Sequence, residues 1–468
     1  MIARAVCALL LAMWASAASG ADFFDGGARR LGTKLTYEVA SPAAVYRFVA
    51  TVLQVAPSVQ YEWFTTSPRA ADGIRELSAE LLADADTYCE CYRAGEFGGS
   101  VEATSVWLSR AALLELRSGS TILHFAEGGP PQAVTLLRRE GYPVYIDNVL
   151  TEVPALVARA AAGMLMWVRD DPTDPLVLAL EGTSQFHLRD VRQRRDDEVG
   201  RLVPAAGAGL HIVERGAGLA VFLLHGGPGM ESNYFRPFLD PLEDEFRLIY
   251  VDQPGQGLSE RFRPPRQYSM EQAIAAIDAL RAALDLERIV LLGHSYGGFV
   301  AQMYAARYPQ RVAALVLVDT AAAHDWNVEA NANIARVGTP AQRAAPANLS
   351  DDERIRRVFA LYFDPPDQAT ADAFMDRLIL SAEAWRQLVS TRKFRTFDMR
   401  PLHLVMTMPT LVVVGDNDLI TTPNQARTIA AGIPGARLEV FPHTGHNPFV
   451  EETAAFNALV REFLRTLR

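Results

Sequence analysis

The stretch from Ile289 to Phe299 constrains the fold of this chain more than any other. Its first four residues, Ile-Val-Leu-Leu, form an apolar run that predicts a buried parallel strand, and residues Phe299 to Arg307 predict a helix. The Gly-His-Ser-Tyr-Gly sequence between them predicts a turn so tight that the backbone of Ser295 is strained and glycines are needed two positions to either side. Such a turn presents the serine hydroxyl over a helix N-terminus, so Ser295 is a candidate nucleophile. An ordinary strand–helix turn with an exposed serine is the alternative.

The rest of the chain from residue 201 has the same alternation of strands and helices. Helical stretches such as Met270 to Leu284 separate most of the strand-length apolar runs. This pattern predicts an α/β fold with a mostly parallel sheet covered on both faces, in which active-site residues follow the carboxyl ends of strands. The further strand-length runs are Leu210–Glu214, Ala220–Leu224, Arg247–Val251, Ala314–Val318, Thr410–Val414 and Arg437–Phe441.

Three more candidate site segments obey the strand-end rule. His225-Gly-Gly-Pro-Gly229 directly follows the strand Ala220–Leu224, and its glycine N–H groups can approach an oxyanion closely. Asp418 follows Thr410–Val414, and His446 follows Arg437–Phe441. With Ser295, these residues give the order nucleophile, acid, base that is typical of one arrangement of the serine triad.

Each of these roles has a rival in the sequence. Asp416 and Asp319 also lie at strand ends and compete with Asp418 for the acid, while His443 competes with His446 for the base. His294 and His225 are interpreted as residues that pack or shape their loops. No metal-ligand cluster stands out, so we expect no metal and no cofactor.

On these motifs, residues from about 201 to 468 resemble the α/β-hydrolase superfamily. The His225–Gly229 loop and the pair Asp252-Gln253 are similar to those of its proline iminopeptidase branch, which removes N-terminal proline. Two features depart from that branch. Pro254 stands where the branch has arginine, which is closer to the esterase and lactonase pattern. The turn reads Gly-His-Ser-Tyr-Gly-Gly where the branch tends to have Gly-Gly-Ser-Trp-Gly.

The resemblance implies a role for each site residue. Ser295 would attack a carbonyl, His446 would take and return the proton, and Asp418 would orient the imidazole. The backbone N–H groups of Gly227 and Tyr296 would form the oxyanion hole. The implied activity is that of a serine hydrolase, a proline-iminopeptidase-like aminopeptidase or alternatively a carboxylesterase or lactonase. A binding or scaffold protein with a vestigial hydrolase domain is the alternative of another class.

The resemblance also implies a cap at about residues 320 to 409. Helical stretches are expected there at Asp351 to Tyr362 and Ala371 to Leu388. In the proline iminopeptidase branch, acidic cap residues bind the free amine of the substrate. Five acidic residues are available and none is assigned: Glu329, Asp351, Asp352, Glu353 and Glu383.

The first 20 residues have the pattern of a signal peptide. Arg4 precedes an apolar region from Ala5 to Trp14, and small residues follow at Ala15 to Gly20. The apolar run is too short to span a membrane comfortably. We therefore expect a cleaved leader, a periplasmic or secreted protein, and no stable membrane insertion.

Residues 21 to 200 predict a β-rich N-terminal domain of unknown role. Apolar residues alternate with polar ones from Leu31 to Val39 and from Val59 to Trp63, and Pro175 to Arg189 predicts another strand. One helix is expected at Val153 to Val168 and one hairpin turn at Arg117 to Ser120.

The charged run from Arg189 to Gly200 is interpreted as a solvated linker, and the domain boundary is placed at residue 200. Cys89 and Cys91 are either two half-buried thiols or a structural bridge.

A formal charge of −10 argues against nucleic acid and against a basic membrane-binding patch. The expected partner is a small-molecule or short peptide substrate. The N-terminal domain could bind a partner, cell wall or lipid, shield the active site, or mediate a homo-oligomer.

Overall fold

The structure is a computed structural model that describes residues 27–98, 102–262, 268–344 and 349–467, so the expected signal peptide lies outside the described residues. Contacts between residues divide the described chain into two units. One holds residues up to Asp196 together with 349–353, and the other holds residues 197–344 and 354–467. The division falls at Asp196, a few residues before the expected boundary at residue 200.

The first unit is built around one sheet of 13 strands, which confirms the β-rich prediction. The sheet order is β6-β4-β3-β2-β1-β13-β12-β11-β10-β9-β8-β5-β7. Leu35, Tyr37 and Val39 are buried while Glu38 is exposed, as the alternation predicts. The strands and helices are β1 (Lys34–Ser41), β2 (Ala44–Gln54), β3 (Val59–Thr65), β4 (Ala71–Leu77), α1 (Ala79–Asp84), β5 (Thr87–Tyr88), β6 (Phe97–Gly98), β7 (Ala103–Thr104), α2 (Arg110–Arg117), β8 (Ser120–His124), β9 (Pro131–Ile146), β10 (Val149–Ala160), β11 (Leu165–Arg169), β12 (Val177–Glu181) and β13 (Gln185–Arg192).

Strands β9 to β13 close into a ring. Each pairs with the next in antiparallel fashion, and β13 also pairs with β9 in parallel, with Asp190 opposite Tyr145.

The predicted helix at Val153 to Val168 is wrong, because β10 and β11 occupy this segment. Side chains of β10 alternate between two hydrophobic clusters, Val153, Ala155 and Val157 in one and Leu156, Ala158 and Ala160 in the other. Burial on both faces produced an unbroken apolar run that resembled helical spacing.

Two other expectations for this unit need correction. Arg117 to Ser120 is not a hairpin turn but the end of α2 and the start of β8. Helix α2 is capped by Ser109, whose hydroxyl accepts from the N–H of Ala112. The stretch Pro175 to Arg189 is two strands, β12 and β13, joined by a turn.

The charged run after residue 189 is also less solvated than expected. Strand β13 continues to Arg192, and both Arg194 and Glu198 are buried. Just after β5, Cys89 and Cys91 form a disulfide, so of the two alternatives the structure has the bridge.

From residue 201 onward the chain forms a second sheet of eight strands, in the order β14-β15-β17-β16-β18-β19-β20-β21. The pairs β14–β15 and β15–β17 are antiparallel and the other pairs are parallel. All seven predicted strands are found, and β14 is an eighth. The strands are β14 (Arg201–Ala205), β15 (Ala208–Arg215), β16 (Leu219–Leu224), β17 (Phe246–Val251), β18 (Ile289–His294), β19 (Val312–Val318), β20 (Thr410–Gly415) and β21 (Arg437–Phe441).

Helices cover both faces of this sheet. Along β16, Phe222 and Leu224 belong to one hydrophobic cluster and Val221 and Leu223 to another, so both faces are buried as predicted. The helices are α3 (Met270–Ala283), α4 (Tyr296–Arg307), α5 (Trp326–Val337), α6 (Pro340–Arg343), α7 (Asp351–Phe359), α8 (Gln368–Arg377), α9 (Ala382–Ser390), α10 (Arg392–Arg395), α11 (Pro423–Gly432), α12 (Pro448–Glu451) and α13 (Thr453–Arg465).

The stretch expected to be a cap, between β19 and β20, contains helices α5 to α10. The predicted helix from Ala371 to Leu388 is in fact two helices, α8 and α9, which Leu378 to Ser381 separate. Ser381 donates its N–H to the carbonyl oxygen of Gly229 at 2.8 Å, so the break between the helices contacts the glycine loop. Among the described residues, no helix combines the length and apolar character that a membrane crossing needs.

Candidate active site

Ser295 lies at the junction of β18 and α4 in a conformation that few L-residues adopt. Its φ is 53° and its ψ is −120°. The turn is held from both sides, because Ser295 donates its N–H to Val318 at 3.0 Å and accepts the Thr320 hydroxyl on its carbonyl at 2.7 Å. The strained turn that the sequence predicts is therefore present.

The glycines beside Ser295 are required by close packing. A Cβ at Gly293 would lie 2.5 Å from the carbonyl oxygen of Gly297, and a Cβ at Gly297 would overlap the carbonyl oxygen of Leu224. Both contacts are with backbone, which cannot rotate away. The Gly-x-Ser-x-Gly spacing thus has a steric cause in this fold.

His446 and Asp418 form a buried pair. Nδ1 of His446 lies 2.8 Å from Oδ2 of Asp418, and both side chains are fully buried. Asp418 also accepts the N–H of Ile420 at 2.7 Å and the hydroxyl of Thr421 at 2.9 Å. Burial alone would raise the pKa of Asp418, but the His446 imidazole and these donors outweigh it and hold that pKa below its ordinary value. Asp418 is therefore a carboxylate near neutral pH.

The other ring nitrogen of His446, Nε2, is available to accept a proton. Nε2 of His446 is buried and has no hydrogen-bond partner among the described residues. The structure brings His446 and Asp418 together directly, but no hydrogen bond joins the Ser295 hydroxyl to His446. Catalytic hydrogen bonds of this kind commonly tighten only when substrate binds.

The rival residues lie in environments that set them apart. Asp416 and His443 are exposed, whereas Asp418 and His446 are buried. Asp319 is fully buried, and its Oδ1 accepts the N–H of Gly415 at 2.9 Å. Burial raises the pKa of Asp319 well above its ordinary value, and the neighbouring Asp418 carboxylate raises it further. Both effects favour the protonated form of Asp319 beside the Asp418 carboxylate.

Asp319, Asp418 and His446 also form the one group of potential metal ligands in the described part of the chain. Their ligand atoms lie within 4.8 Å of one another. The hydrogen bonds to Gly415, Thr421 and between His446 and Asp418 account for this arrangement. The expectation that no metal is needed stays a prediction.

The glycine loop and the start of α4 carry the two backbone groups expected to form the oxyanion hole. Gly227 has a φ of 113°, and Tyr296 is the first residue of α4, where a helix leaves its N–H without an intrahelical acceptor. The side chain of Gln256 supports this loop by accepting the N–H of Gly229 at 2.6 Å. Gln253 supports it too, by donating its amide to the carbonyl of His225 at 2.8 Å.

Asp252 anchors the loop that carries both glutamines. Its carboxylate contacts Nδ1 of His211 at 2.9 Å and accepts the N–H and the hydroxyl of Ser232, each at 2.7 Å. It also accepts the N–H of Leu258 at 2.9 Å. Burial opposes the charge, yet His211 and the other donors hold the pKa of Asp252 far below its ordinary value. Asp252 therefore holds in place the loop whose glutamines support the glycine loop.

All five acidic cap residues interact with other groups of the protein. Glu383 accepts from Arg386 at 2.7 Å and from Gln387 at 2.9 Å, and Glu353 accepts the Ser350 hydroxyl at 2.9 Å. Glu329 accepts the hydroxyl of Thr422, which follows the Asp418 loop, and the amide of Asn424 at 3.3 Å. Glu329 thus contacts Thr422, the residue that follows Thr421, and Thr421 donates to Asp418.

Sequence reasoning did not single out Thr421, His211 or Tyr234. Thr421 had a local signal, since an aspartate commonly accepts from groups two or three residues further on. His211 and Tyr234 had none, because their partners Asp252 and His294 are 41 and 60 residues away in sequence.

Comparisons with known proteins agree with this geometry. The family model described as "alpha/beta hydrolase fold" matches residues 220–453, which is half of the chain. A proline iminopeptidase of Levilactobacillus brevis is 31% identical over 264 residues, 52% of this chain and 87% of the relative. The proline iminopeptidase PfmaB of Pestalotiopsis fici is 32% identical over 52% of this chain and 91% of its own length. The crystal structure of VinJ, 22% identical, superposes with a TM-score of 0.50 over 57% of this chain and 98% of that one, and shows the fold alone. The chain therefore belongs to the α/β-hydrolase fold family, on its proline iminopeptidase-like branch, and is a serine hydrolase.

Proposed function

We propose that this enzyme is an aminopeptidase that removes N-terminal proline through a Ser295–His446–Asp418 triad and an acyl-enzyme. The observation that carries the proposal is the buried contact of 2.8 Å between His446 and the Asp418 carboxylate. It accompanies a serine that is held in the strained turn at the end of β18.

In the proposed reaction, the Ser295 hydroxyl attacks the carbonyl carbon of the prolyl residue. His446 takes the hydroxyl proton on Nε2 and returns it to the leaving amine, so that the amide bond breaks and an ester to Ser295 remains. A water molecule then attacks this ester, again with His446 as the base, and free proline leaves. The charge that develops on the carbonyl oxygen is stabilised by the N–H groups of Gly227 and Tyr296.

The substrate class rests on similarity. Both relatives described above are proline iminopeptidases, and each exceeds 30% identity over most of its own length. Recognition of a free amine needs a carboxylate near the acyl site. Glu329 is the cap residue that we propose for this role, because it is bonded to Thr422, next to Thr421.

The test is a side-by-side assay of the mature enzyme. We expect hydrolysis of a prolyl arylamide with a free amine and loss of hydrolysis when that amine is blocked. Ser295→Ala should lower kcat by about 10⁴-fold or more, because members of a triad act as a unit. The exposed-residue variant Asp416→Asn is the matched control and should keep wild-type kinetics.

Two other outcomes would replace this proposal. Hydrolysis of a short-chain aryl ester without cleavage of the prolyl amide would assign the enzyme to ester or lactone substrates, in line with Pro254 and the Gly-His-Ser-Tyr-Gly turn. Failure of a serine-directed fluorophosphonate probe to label the protein, or equal labelling of Ser295→Ala, would point to a vestigial site and a binding role.

We also propose that the enzyme is exported, on the signal-peptide pattern of residues 1–20. Expression of the full chain and of a chain lacking these residues, followed by fractionation, tests this. Activity outside the cytoplasm should require residues 1–20, and equal distribution of the two forms would contradict export.

A further inference from the structure

A chain of buried hydrogen bonds joins the glycine loop to the segment that carries the proposed base. The N–H of Gly226 lies 2.5 Å from the Tyr234 hydroxyl oxygen, which lies 2.7 Å from Nδ1 of His294. Nε2 of His294 then lies 2.8 Å from the carbonyl oxygen of His446. Three segments far apart in sequence are connected by two side chains, which we call the Tyr234–His294 bridge.

The two ends of the bridge, together with a neutral imidazole, fix every proton in it. The N–H of Gly226 can only donate, and the carbonyl of His446 can only accept. Tyr234 therefore accepts from Gly226 and donates its own proton to Nδ1 of His294. His294 in turn carries its proton on Nε2 and donates it to His446. Each link has one donor and one acceptor, so the bridge is satisfied with a neutral imidazole.

The surroundings of the bridge favour the same neutral state. Burial lowers the pKa of His294 well below its ordinary value, and the nearby His446 lowers it further. Aromatic rings enclose the bridge, with Phe449 centred 5.1 Å from the His294 ring and Phe374 centred 5.8 Å from the Tyr234 ring. Both bridge side chains are almost completely buried, so bulk water does not compete for these hydrogen bonds.

The bridge lies beside the residues proposed as oxyanion donor, base and nucleophile. Gly226 directly precedes Gly227, whose N–H is the proposed oxyanion donor, and the accepted carbonyl belongs to His446 itself. His294 also directly precedes Ser295. The bridge therefore contacts the backbone at, or one residue from, the nucleophile, the base and the oxyanion donor, but neither side chain is placed on a reacting atom.

We propose that Tyr234 and His294 are positioning residues of the hydrolytic reaction, which hold the glycine loop and the His446 backbone at a fixed separation. The proposal rests on the proposed roles of Ser295, His446 and Gly227. It assigns to the bridge the alignment of oxyanion donor and base. The Asp418–His446 contact alone does not provide this alignment, because it is made with the imidazole of His446 and not with the His446 backbone.

The first test is Tyr234→Phe, which removes one hydroxyl and keeps the ring. The Gly226 N–H and Nδ1 of His294 then both lose their partner in a buried place. We expect kcat to fall about 10- to 100-fold with KM nearly unchanged, since a misplacement of about 1 Å can cost about 10²-fold in rate. Tyr250→Phe is the matched control, because the buried Tyr250 hydroxyl donates to Asp240 at 2.7 Å outside the bridge. It should lower thermal stability without changing kcat.

The second test breaks the two hydrogen bonds of the His294 side chain one at a time. In His294→Gln the amide N–H can still reach the His446 carbonyl, whereas in His294→Asn the amide can still reach Tyr234. Because alignment needs both links, each variant should lose about as much activity as Tyr234→Phe. The double variant Tyr234→Phe/His294→Gln should lose little more than either single one. Losses that multiply would mean independent packing effects and would overturn the proposal.

A third readout separates alignment from general damage. A boronic acid inhibitor that forms a tetrahedral adduct with Ser295 should bind Tyr234→Phe more weakly, in the same proportion as kcat/KM falls. The affinity for a substrate-like competitive inhibitor should stay unchanged. Rates are expressed per active site, counted with a fluorophosphonate probe, on whichever amide or ester the wild type hydrolyses.

The outcomes distinguish this proposal from the proposed function. If Ser295→Ala stays active, the triad assignment fails and the bridge loses its role with it. If Ser295→Ala is inactive but Tyr234→Phe and His294→Gln both keep kcat within twofold of wild type, the triad stands and the bridge is overturned. If Tyr234→Phe does not fold, the His294→Gln kinetics and boronate affinity decide alone.

Discussion

At the scale of single residues, the site holds two carboxyl groups whose pKa values are shifted in opposite directions. Asp418 faces His446 and keeps a lowered pKa, while burial raises the pKa of Asp319. We predict that Asp319→Asn, which mimics a neutral acid, keeps kcat within about threefold, whereas Asp418→Asn lowers kcat by roughly 10⁴-fold. Steady-state kinetics of the two variants at pH 7 check this. A loss at Asp319→Asn as large as that at Asp418→Asn would mean that Asp319 is the acid.

The raised pKa of Asp319 also predicts how the stability of the protein depends on pH. Because its pKa is raised by folding, the folded state binds more protons than the unfolded state once the pH exceeds the ordinary pKa of an aspartate, about 3.9. Its contribution to the free energy of unfolding is therefore lost as the pH rises above that value. Urea unfolding from pH 4 to 8 should show a less negative slope of stability against pH for Asp319→Asn than for the wild type. Equal slopes would show that Asp319 ionises freely.

The residues of the site were predictable to different degrees. Ser295 follows from local steric rules, because the glycines at 293 and 297 and the flanking strand and helix are contiguous in sequence. His446 and Asp418 follow from type, order and strand ends. The raised pKa of Asp319 could not be predicted, since it depends on burial against a carboxylate that is 99 residues away in sequence.

At the scale of elements, the segment Asp252 to Gln256, which follows β17, connects strand β15 to the glycine loop. Asp252 is its anchor, with contacts to His211 on β15 and to Ser232. We predict that Asp252→Asn lowers the free energy of unfolding by about 3–5 kcal/mol. The substitution removes the negative charge of the buried carboxylate that His211 and Ser232 contact. Denaturant unfolding of this variant, with the exposed Asp416→Asn as control, measures the difference. A change below about 0.5 kcal/mol would contradict the role of Asp252.

Strands were predicted well where burial on both faces gives a short apolar run with clear ends. The parallel strands β16 to β20 are buried on both faces and give short apolar runs, each bounded by glycine, proline, histidine or a charged residue. Strand β14 was missed because Leu202 is exposed and Pro204 interrupts it. Strand β10 was taken for a helix because it lies between two clusters, which hides the twofold period. Tertiary burial rather than local preference decided the error at β10.

At the scale of the whole molecule, the two units have separate hydrophobic cores. Leu156 belongs to a cluster of the first unit and Leu292 to a cluster of the second. We predict that Leu156→Ala and Leu292→Ala each destabilise their own unit by about 2–5 kcal/mol. Calorimetry should show two transitions, of which each variant lowers one, and heat inactivation should follow only the transition lowered by Leu292→Ala. A single transition that both variants lower equally would show that the units unfold together.

The closed pairing of β9 to β13 has a consequence for the behaviour of the chain in concentrated solution. A sheet of 13 strands would ordinarily have two long edge strands whose unpaired N–H and carbonyl groups can recruit other chains. In this sheet the strands at the two ends are β6 and β7, each of two residues, and the ring strands have neighbours on both sides. The outermost strands of the described sheet therefore offer only two residues each for intermolecular strand addition, so edge pairing through β6 and β7 is disfavoured.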